Sequence, residues 1–235
     1  MYRVNFDSWQ SIGVTPRNQT LVNVDVGQRQ VIKPILNMSN ITEHGDIIIC
    51  HNALSKEQCD RIIMGSEFTA RHHRDENQWG KAQTVGEATS TTMSAADSPR
   101  QNKIMAIRND VSNIKVIDDM LWYVFHIARE TISSTLLYPH GFNLVRDEGY
   151  SLLRYEASNY YKEHTDYNDD LVRVLSGLIY LNDDFDGGEI QFRRQNFTFK
   201  PTAGSIVFFP SVWSHPHTAM PVKNGIRYNV ISWWR

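Results

Sequence analysis

Only two cysteines, Cys50 and Cys59, occur among the 235 residues, and neither has a second cysteine at zinc-finger or redox spacing. A disulfide scaffold is therefore not expected, and both thiols should be reduced and buried. Excess basic charge is also missing. With 26 acidic and 24 basic residues, a net charge of −2 and a pI near 6.5, the chain has no general footprint for nucleic acid. No apolar run approaches the ~20 residues that span a bilayer. The opening "MYRVNFDSWQ" has no basic start, apolar stretch or cleavage site of a secretory leader. No membrane association is expected, and a cytoplasmic location is. No internal repeat is visible.

What is present suits a folded domain. Hydrophobic residues make up 41% of the chain, aromatic residues 11% and charged residues 21%. The length fits one core with extensions, since a single core can fill up to roughly 250 residues.

Residues 1–45 are polar, rich in Asn and Gln, and aperiodic, so they read as an N-terminal extension to a single domain over 46–235. "DIIICHNALSKEQCDRII" reads as a strand ending at Cys50 and then a helix, with Ser55 as N-cap, Gln58 as its capping-box partner, and Cys59, Ile62 and Ile63 as the buried stripe. Apolar periodicity vanishes over about 68–97, a length that suggests a lid or disorder. A second helix is expected over about 114–136, where Ile117, Met120, Leu121, Val124, Phe125, Ala128 and Ile132 recur at helical spacing. Beyond Tyr150 the pattern becomes short β-rich segments near 150–156, 172–181, 188–193, 197–200, 204–209, 214–220 and 226–234, which points to an antiparallel sandwich or barrel of the jelly-roll class.

Within "YYKEHTDY", His164 and Asp166 stand two apart, a spacing that on a strand puts both side chains on one face. Two further candidates, His215 and His217, lie just ahead of a turn containing Pro221, Asn224 and Gly225. Parity cannot choose between them. If a loop over 221–225 pairs Met220 with Ile226, His217 becomes the diagonal neighbour of Arg227, roughly 7–8 Å away at the backbone, and His215 the poorer candidate. Two histidines and one carboxylate leave open positions on an octahedral ion, as in non-haem Fe(II) oxygenases, whereas a structural zinc site is closed. Arg227 offers a planar, permanently charged group for a carboxylate. A dicarboxylate bridging metal and arginine would be 2-oxoglutarate.

These segments resemble the iron- and 2-oxoglutarate-dependent dioxygenases, and within them the prolyl 4-hydroxylase branch. "YYKEHTDY" is similar to that branch's Tyr-x-x-His-x-Asp segment, "LSGLIYLNDDFDGGEIQF" to its strand and Gly-Gly-Glu turn, "FKPTAGSIVFFP" to its Pro-x-x-Gly strand and "HTAMPVKNGIRY" to its closing run. "ALSKEQCDRII" looks like its helix-opening segment. The ten-residue interval from His217 to Arg227 matches that branch and favours His217 over His215. The resemblance implies a mainly β fold: a double-stranded β-helix, or jelly roll, over about 148–235, with N-terminal helices on its major sheet.

By the same resemblance, His164, Asp166 and His217 hold Fe(II), and Arg227 receives the far carboxylate of 2-oxoglutarate. Tyr155 and Ser176 line the cosubstrate pocket, and O2 is the second cosubstrate. Ascorbate is the implied reductant. Arg173 matches a substrate-facing arginine, and Trp79, Trp213, Trp233 and Trp234 are candidates to shape a groove, with Trp233 taken as the substrate-facing one. Asp166 argues for hydroxylation, because related halogenases lack that carboxylate.

The expected reaction is hydroxylation of an unactivated C–H bond, by default in a prolyl residue of a peptide or protein. A free amino acid or another small molecule is the alternative substrate. A nucleic-acid demethylase shares the run Arg227-Tyr228-Asn229 but has a second arginine where this chain has Trp233. From another class, a cupin-like metal-binding module would have no use for Arg227. Nucleic acid is not an expected partner.

Overall fold

Successive side chains of a strand point to opposite faces, and Leu175–Tyr180 is buried at every position, so a layer must cover each side of it. The computed structural model supplies both layers. It describes residues 40–72, 79–82, 98–107, 112–132, 144, 146–167 and 172–235, all within one compact unit, Pro34–Arg235. The expected extension up to residue 39 and most of the aperiodic segment 68–97 lie outside the described residues.

The first half contains β1 (Ile41–His44), β2 (Ile47–Cys50), α1 (Lys56–His72), β3 (Gly80–Lys81), β4 (Arg100–Gln101), β5 (Lys103–Ile107) and α2 (Ser112–Ile132). The second contains β6 (Tyr150–Tyr155), β7 (Tyr160–His164), β8 (Leu175–Tyr180), β9 (Asp186–Gly187), β10 (Ile190–Phe192), β11 (Phe197–Phe199), β12 (Ile206–Pro210), β13 (His217–Ala219), β14 (Val222–Asn224) and β15 (Arg227–Trp234). An eight-stranded sheet runs β1-β2-β12-β8-β15-β6-β5-β3, and a five-stranded sheet runs β11-β10-β13-β7-β4. β9 and β14 form a separate pair. The architecture is the expected one, mainly β and jelly-roll in type, with the helices on the larger sheet.

Strand alternation divides the apolar residues of the large sheet between two cores. On the helix side, Leu152, Ile179, Phe208, Val230 and Trp234 meet Ile62, Leu121, Val124 and Phe125. On the inner side, Leu153, Leu178, Val207 and Ile231 meet Ile190, Phe192 and Ala219 of the small sheet. Tyr155, Ser176, Arg227, Asn229 and Trp233 share the inner parity, and this places them in the barrel.

The capping box opening α1 forms as expected: Gln58 N donates to Ser55 Oγ at 3.2 Å, and Ser55 N donates to Gln58 Oε1 at 2.8 Å. α1 is tied to the large sheet by Tyr228, whose hydroxyl donates to Glu67 Oε1 at 2.7 Å. Cys50 and Cys59 are free and buried, and burial pushes both thiols up to about 12. No described helix is long and apolar enough to cross a membrane.

Several local expectations are corrected. The hairpin pairing Met220 with Ile226 does not form. β13 pairs with β7 and β10, whereas β15 pairs with β6 and β8 in the other sheet. The intervening β14 joins β9, and Gly225, at φ +80, then turns the chain into β15. The strand β7 was missing from the expected strands because its exposed Lys162 and Glu163 break the apolar alternation. The strand expected over 172–181 is shorter, Leu175–Tyr180, and α2 ends its described course at Ile132. Gly187 and Gly188 do adopt positive φ, +70 and +65, as the Gly-Gly-Glu turn requires.

Candidate functional site

Register builds the cluster. His217 pairs directly with His164, but the next pair is Ala219 with Tyr161, so β7 carries one extra residue. Such a bulge re-aims side chains. Tyr161 and His164, three apart, therefore lie on one side with their rings stacked at 3.4 Å. Asp166 follows just beyond the strand, so the same-face geometry of a regular strand is not what joins it to His164.

Backbone carbonyls fix both imidazoles. His164 Nδ1 lies 2.8 Å from Lys162 O, and His217 Nδ1 lies 3.1 Å from His215 O. A carbonyl can only accept, so each Nδ1 carries a hydrogen and Nε2 is the nitrogen turned towards the cluster. His164 Nε2 lies 3.7 Å from Asp166 Oδ1, and His217 Nε2 lies 3.9 Å from Asp166 Oδ2. All three ligand atoms fall within 4.8 Å of one another, a set that could hold a metal ion. His215 is outside it, with its ring nitrogen on Ser214 Oγ at 2.8 Å. Its contribution is the carbonyl that orients His217, which side-chain reasoning could not register.

The electrostatics keep the cluster ready for a cation. Burial, then the neighbouring His217, lower the pKa of His164 to about 3, so its imidazole is neutral near pH 7. Burial opposes ionisation of Asp166, but His217, His164 and a hydrogen bond from Ser176 outweigh it and hold the carboxyl below its usual value.

Ser176, expected to line the cosubstrate pocket, contacts Asp166. Its Oγ donates to Asp166 Oδ2 at 2.6 Å and is 2.8 Å from Ser211 Oγ. Ser176 faces Trp233 across β8 and β15, whereas Arg227 faces Tyr155 across β15 and β6, so separate rungs of the sheet carry the two polar groups. Arg173 donates to the Asp166 carbonyl at 3.2 Å and to Glu148 at 2.7 Å, and its guanidinium lies 3.7 Å from the centre of the Trp233 ring. Both proposed substrate-facing residues thus border Asp166. The Trp233 Nε1 has no hydrogen-bond partner of good geometry.

Arg227 opens β15 on the inner face of the large sheet and is 1% exposed. One terminal nitrogen donates to Gly188 O at 2.8 Å, and the guanidinium lies 3.9 Å from the Tyr155 ring centre and 5.8 Å from that of Tyr180. Its Nε has no partner, and no carboxylate pairs with it among the described residues. A buried cation without a counter-ion is costly, so the pocket fits an anionic ligand. Asn229 is the residue that sequence reasoning passed over. It is fully buried at the same parity, and neither polar atom of its amide has a partner.

The fold and the cluster define a jelly-roll protein with a His/Asp/His site and a buried arginine inside one barrel. Residues 150–235 match the 2OG-Fe(II) oxygenase superfamily, whose name carries the cosubstrate 2-oxoglutarate and the metal Fe(II).

A protein of Acanthamoeba polyphaga mimivirus, assigned by name to the prolyl 4-hydroxylases, is 34% identical over 108 residues, 37% of this chain and 45% of that one. Prolyl 3-hydroxylase 2 of Mus musculus is 36% identical over 88 residues, 35% of this chain and 12% of its own. The chain thus spans less than half the length of these curated relatives. Among solved structures, a prolyl hydroxylase from Trichoplax adhaerens, in complex with a hypoxia inducible factor peptide fragment, aligns over 80% of this chain and 83% of its own, with a TM-score of 0.63 at 18% identity. A Pseudomonas putida prolyl-4-hydroxylase aligns over 81% and 92%, with a TM-score of 0.60 at 19% identity. At such identity the structures speak for the fold.

Proposed function

We propose that the protein is an Fe(II)- and 2-oxoglutarate-dependent dioxygenase that hydroxylates a prolyl residue of a peptide or protein. The observation that carries this is Arg227, a buried cation without a carboxylate partner among the described residues, on the inner face of the same barrel that holds His164, Asp166 and His217. In this reading those three residues hold iron, and Arg227 with Tyr155 and Asn229 receives the far carboxylate of 2-oxoglutarate. The catalytic domain is 46–235. Bound iron would supply O2 activation coupled to decarboxylation of 2-oxoglutarate to succinate and CO2, with ascorbate as reductant.

The chain's own residues orient and shield. Lys162 O and His215 O hold the two imidazoles with Nε2 presented, and Ser176 occupies one carboxylate oxygen of Asp166. Phe192 and Phe209 pack against the His217 ring, at 5.7 and 4.6 Å between centres, and keep water from its far side. Gly188 O and the Tyr155 face hold the guanidinium of Arg227 in place. Peptide as substrate is supported by the prolyl hydroxylases among the relatives and by the peptide held by the Trichoplax neighbour. A cytoplasmic location accords with the two free, buried cysteines.

The test is succinate formation by the purified protein with Fe(II), ascorbate and 2-oxoglutarate, with and without proline-containing peptides, beside the His217→Ala variant. Peptide-stimulated turnover lost in the variant is the expected result. Turnover insensitive to every peptide would move the substrate to a free amino acid or another small molecule. Bound iron with no turnover would leave the cupin-like binding module.

A further inference from the structure

Trp213 is 74% exposed, the most exposed of the large hydrophobic residues described. Its loop, between β12 and β13, runs from Ser211, which reaches Asp166 through Ser176, to His217. The loop is fixed at several points: Ser211 N donates to Val174 O at 2.9 Å, His215 N to Val212 O at 3.0 Å, and Gln195 Nε2 to Ser214 O at 2.9 Å. The last bond straps the turn between β10 and β11 to it. That turn carries Arg193 and Arg194, both exposed. Arg194 lies 5.7 Å from the centre of the Trp213 ring and makes no ion pair or side-chain hydrogen bond among the described residues. Arg193 is paired with Glu163, at 2.9 Å and on the surface, a contact that water and other anions exchange readily.

We propose that Trp213 and Arg194 form a docking subsite beside the metal cluster for an acidic, proline-containing segment of a polypeptide substrate. This rests on the oxygenase reading of the cluster and names the substrate class of that site. An indole face attracts the polarised C–H groups of a pyrrolidine ring, the interaction by which aromatic-lined grooves take proline-rich segments. The guanidinium of Arg194, without an acidic partner among the described residues and with Arg193 beside it, receives a carboxylate. Arg100 over Tyr161, at 4.7 Å, and Arg173 over Trp233, at 3.7 Å, repeat the arginine–aromatic pairing next to His164 and Asp166. Arg173 is already neutralised by Glu148 and Arg100 Nε donates to Asn102 Oδ1 at 2.6 Å, whereas the Arg194 guanidinium makes neither kind of contact among the described residues. A polynucleotide would stack on Trp213, but it needs a row of cations along its backbone, and the turn offers two in a chain of net charge −2.

The test uses the full chain with Fe(II) and 2-oxoglutarate under anaerobic conditions, and fluorescence polarisation of a labelled peptide with a central proline flanked by glutamates. Alanine-flanked and lysine-flanked versions and oligothymidylate are the comparisons. The glutamate-flanked peptide should bind roughly tenfold tighter than the alanine-flanked one. Arg194→Ala should remove most of that difference, Trp213→Ala should weaken both peptides, and Arg194→Glu should shift preference towards lysine. Equal binding of glutamate- and alanine-flanked peptides, an undiminished preference in Arg194→Ala, or oligothymidylate binding as tightly as the acidic peptide would each overturn the proposal. Aerobic succinate formation by the unaltered protein separates the two readings. Its absence would sink the oxygenase, whereas turnover without acidic preference would sink the docking subsite alone.

Discussion

His217 stands directly across from His164 in the pairing of β13 with β7, with ring centres 4.3 Å apart. The two imidazoles therefore meet through backbone register, and the carbonyls of Lys162 and His215 complete their aim. Asp166 reaches the same point from the chain leaving β7. A cluster made this way is set before any ion arrives.

Removing one of its members should then abolish metal binding without unfolding the barrel. In Asp166→Ala, turnover of 2-oxoglutarate should fall by at least about 100-fold, beyond the 10–100-fold usual for losing a residue that only supports a ligand. Iron content after dialysis and succinate formation are the measurements. Full turnover in Asp166→Ala would remove the triad account.

Arg227 makes a prediction with two signs. Truncating one member of a buried charge pair costs about 2–5 kcal/mol, so Arg227→Met should raise the KM for 2-oxoglutarate on the order of 30-fold or more. Without cosubstrate the same change removes an uncompensated buried cation, so the thermal midpoint should rise. A lower midpoint with an unchanged KM would mean that Arg227 is structural.

The residues of the candidate site were legible because they belong to types with few bland uses at such spacing: His164, Asp166, His217 and Arg227. The geometry joining them was not. A hairpin was expected to set His217 beside Arg227, yet these residues lie in different sheets, because a jelly roll passes the chain between layers and local pairing rules do not foresee that. The bulge in β7 was equally hidden, since one extra residue leaves no mark in the composition. Ser176 was legible as a hydroxyl lining the barrel, but its contact with Asp166 was not, because that pairing crosses from one sheet to the chain leaving the other. The carbonyls of Gly188 and His215 carry no residue-type signal at all.

Ser176 now has a different expected phenotype. Its hydrogen bond to Asp166, backed by Ser211, should tighten iron binding rather than 2-oxoglutarate binding. Ser176→Ala should weaken Fe(II) affinity about 10- to 100-fold with little change in the KM for 2-oxoglutarate. Metal titration at saturating cosubstrate separates the two. A selective rise in the KM for 2-oxoglutarate would return Ser176 to the cosubstrate pocket.

Acid should loosen the metal-free protein through His164. Its folded pKa of about 3 lies below the ordinary value of 6.5, so the unfolded chain binds the proton more readily. The stability this contributes is fully present above pH 6.5 and is lost as pH falls below it, at about 1.4 kcal/mol per pH unit, or about 2 kcal/mol by pH 5. His126 and His215, also lowered chiefly by burial, act in the same direction. Asp166, held below the usual carboxylate value, keeps its own contribution throughout this window. Urea unfolding in the presence of a chelator should therefore give a lower midpoint at pH 5 than at pH 7. His164→Gln should shrink that difference without abolishing it, because the other two histidines remain. An equal drop in the variant would show that His164 is already protonated, or solvated, in the folded protein, and would place its imidazole outside the buried cluster.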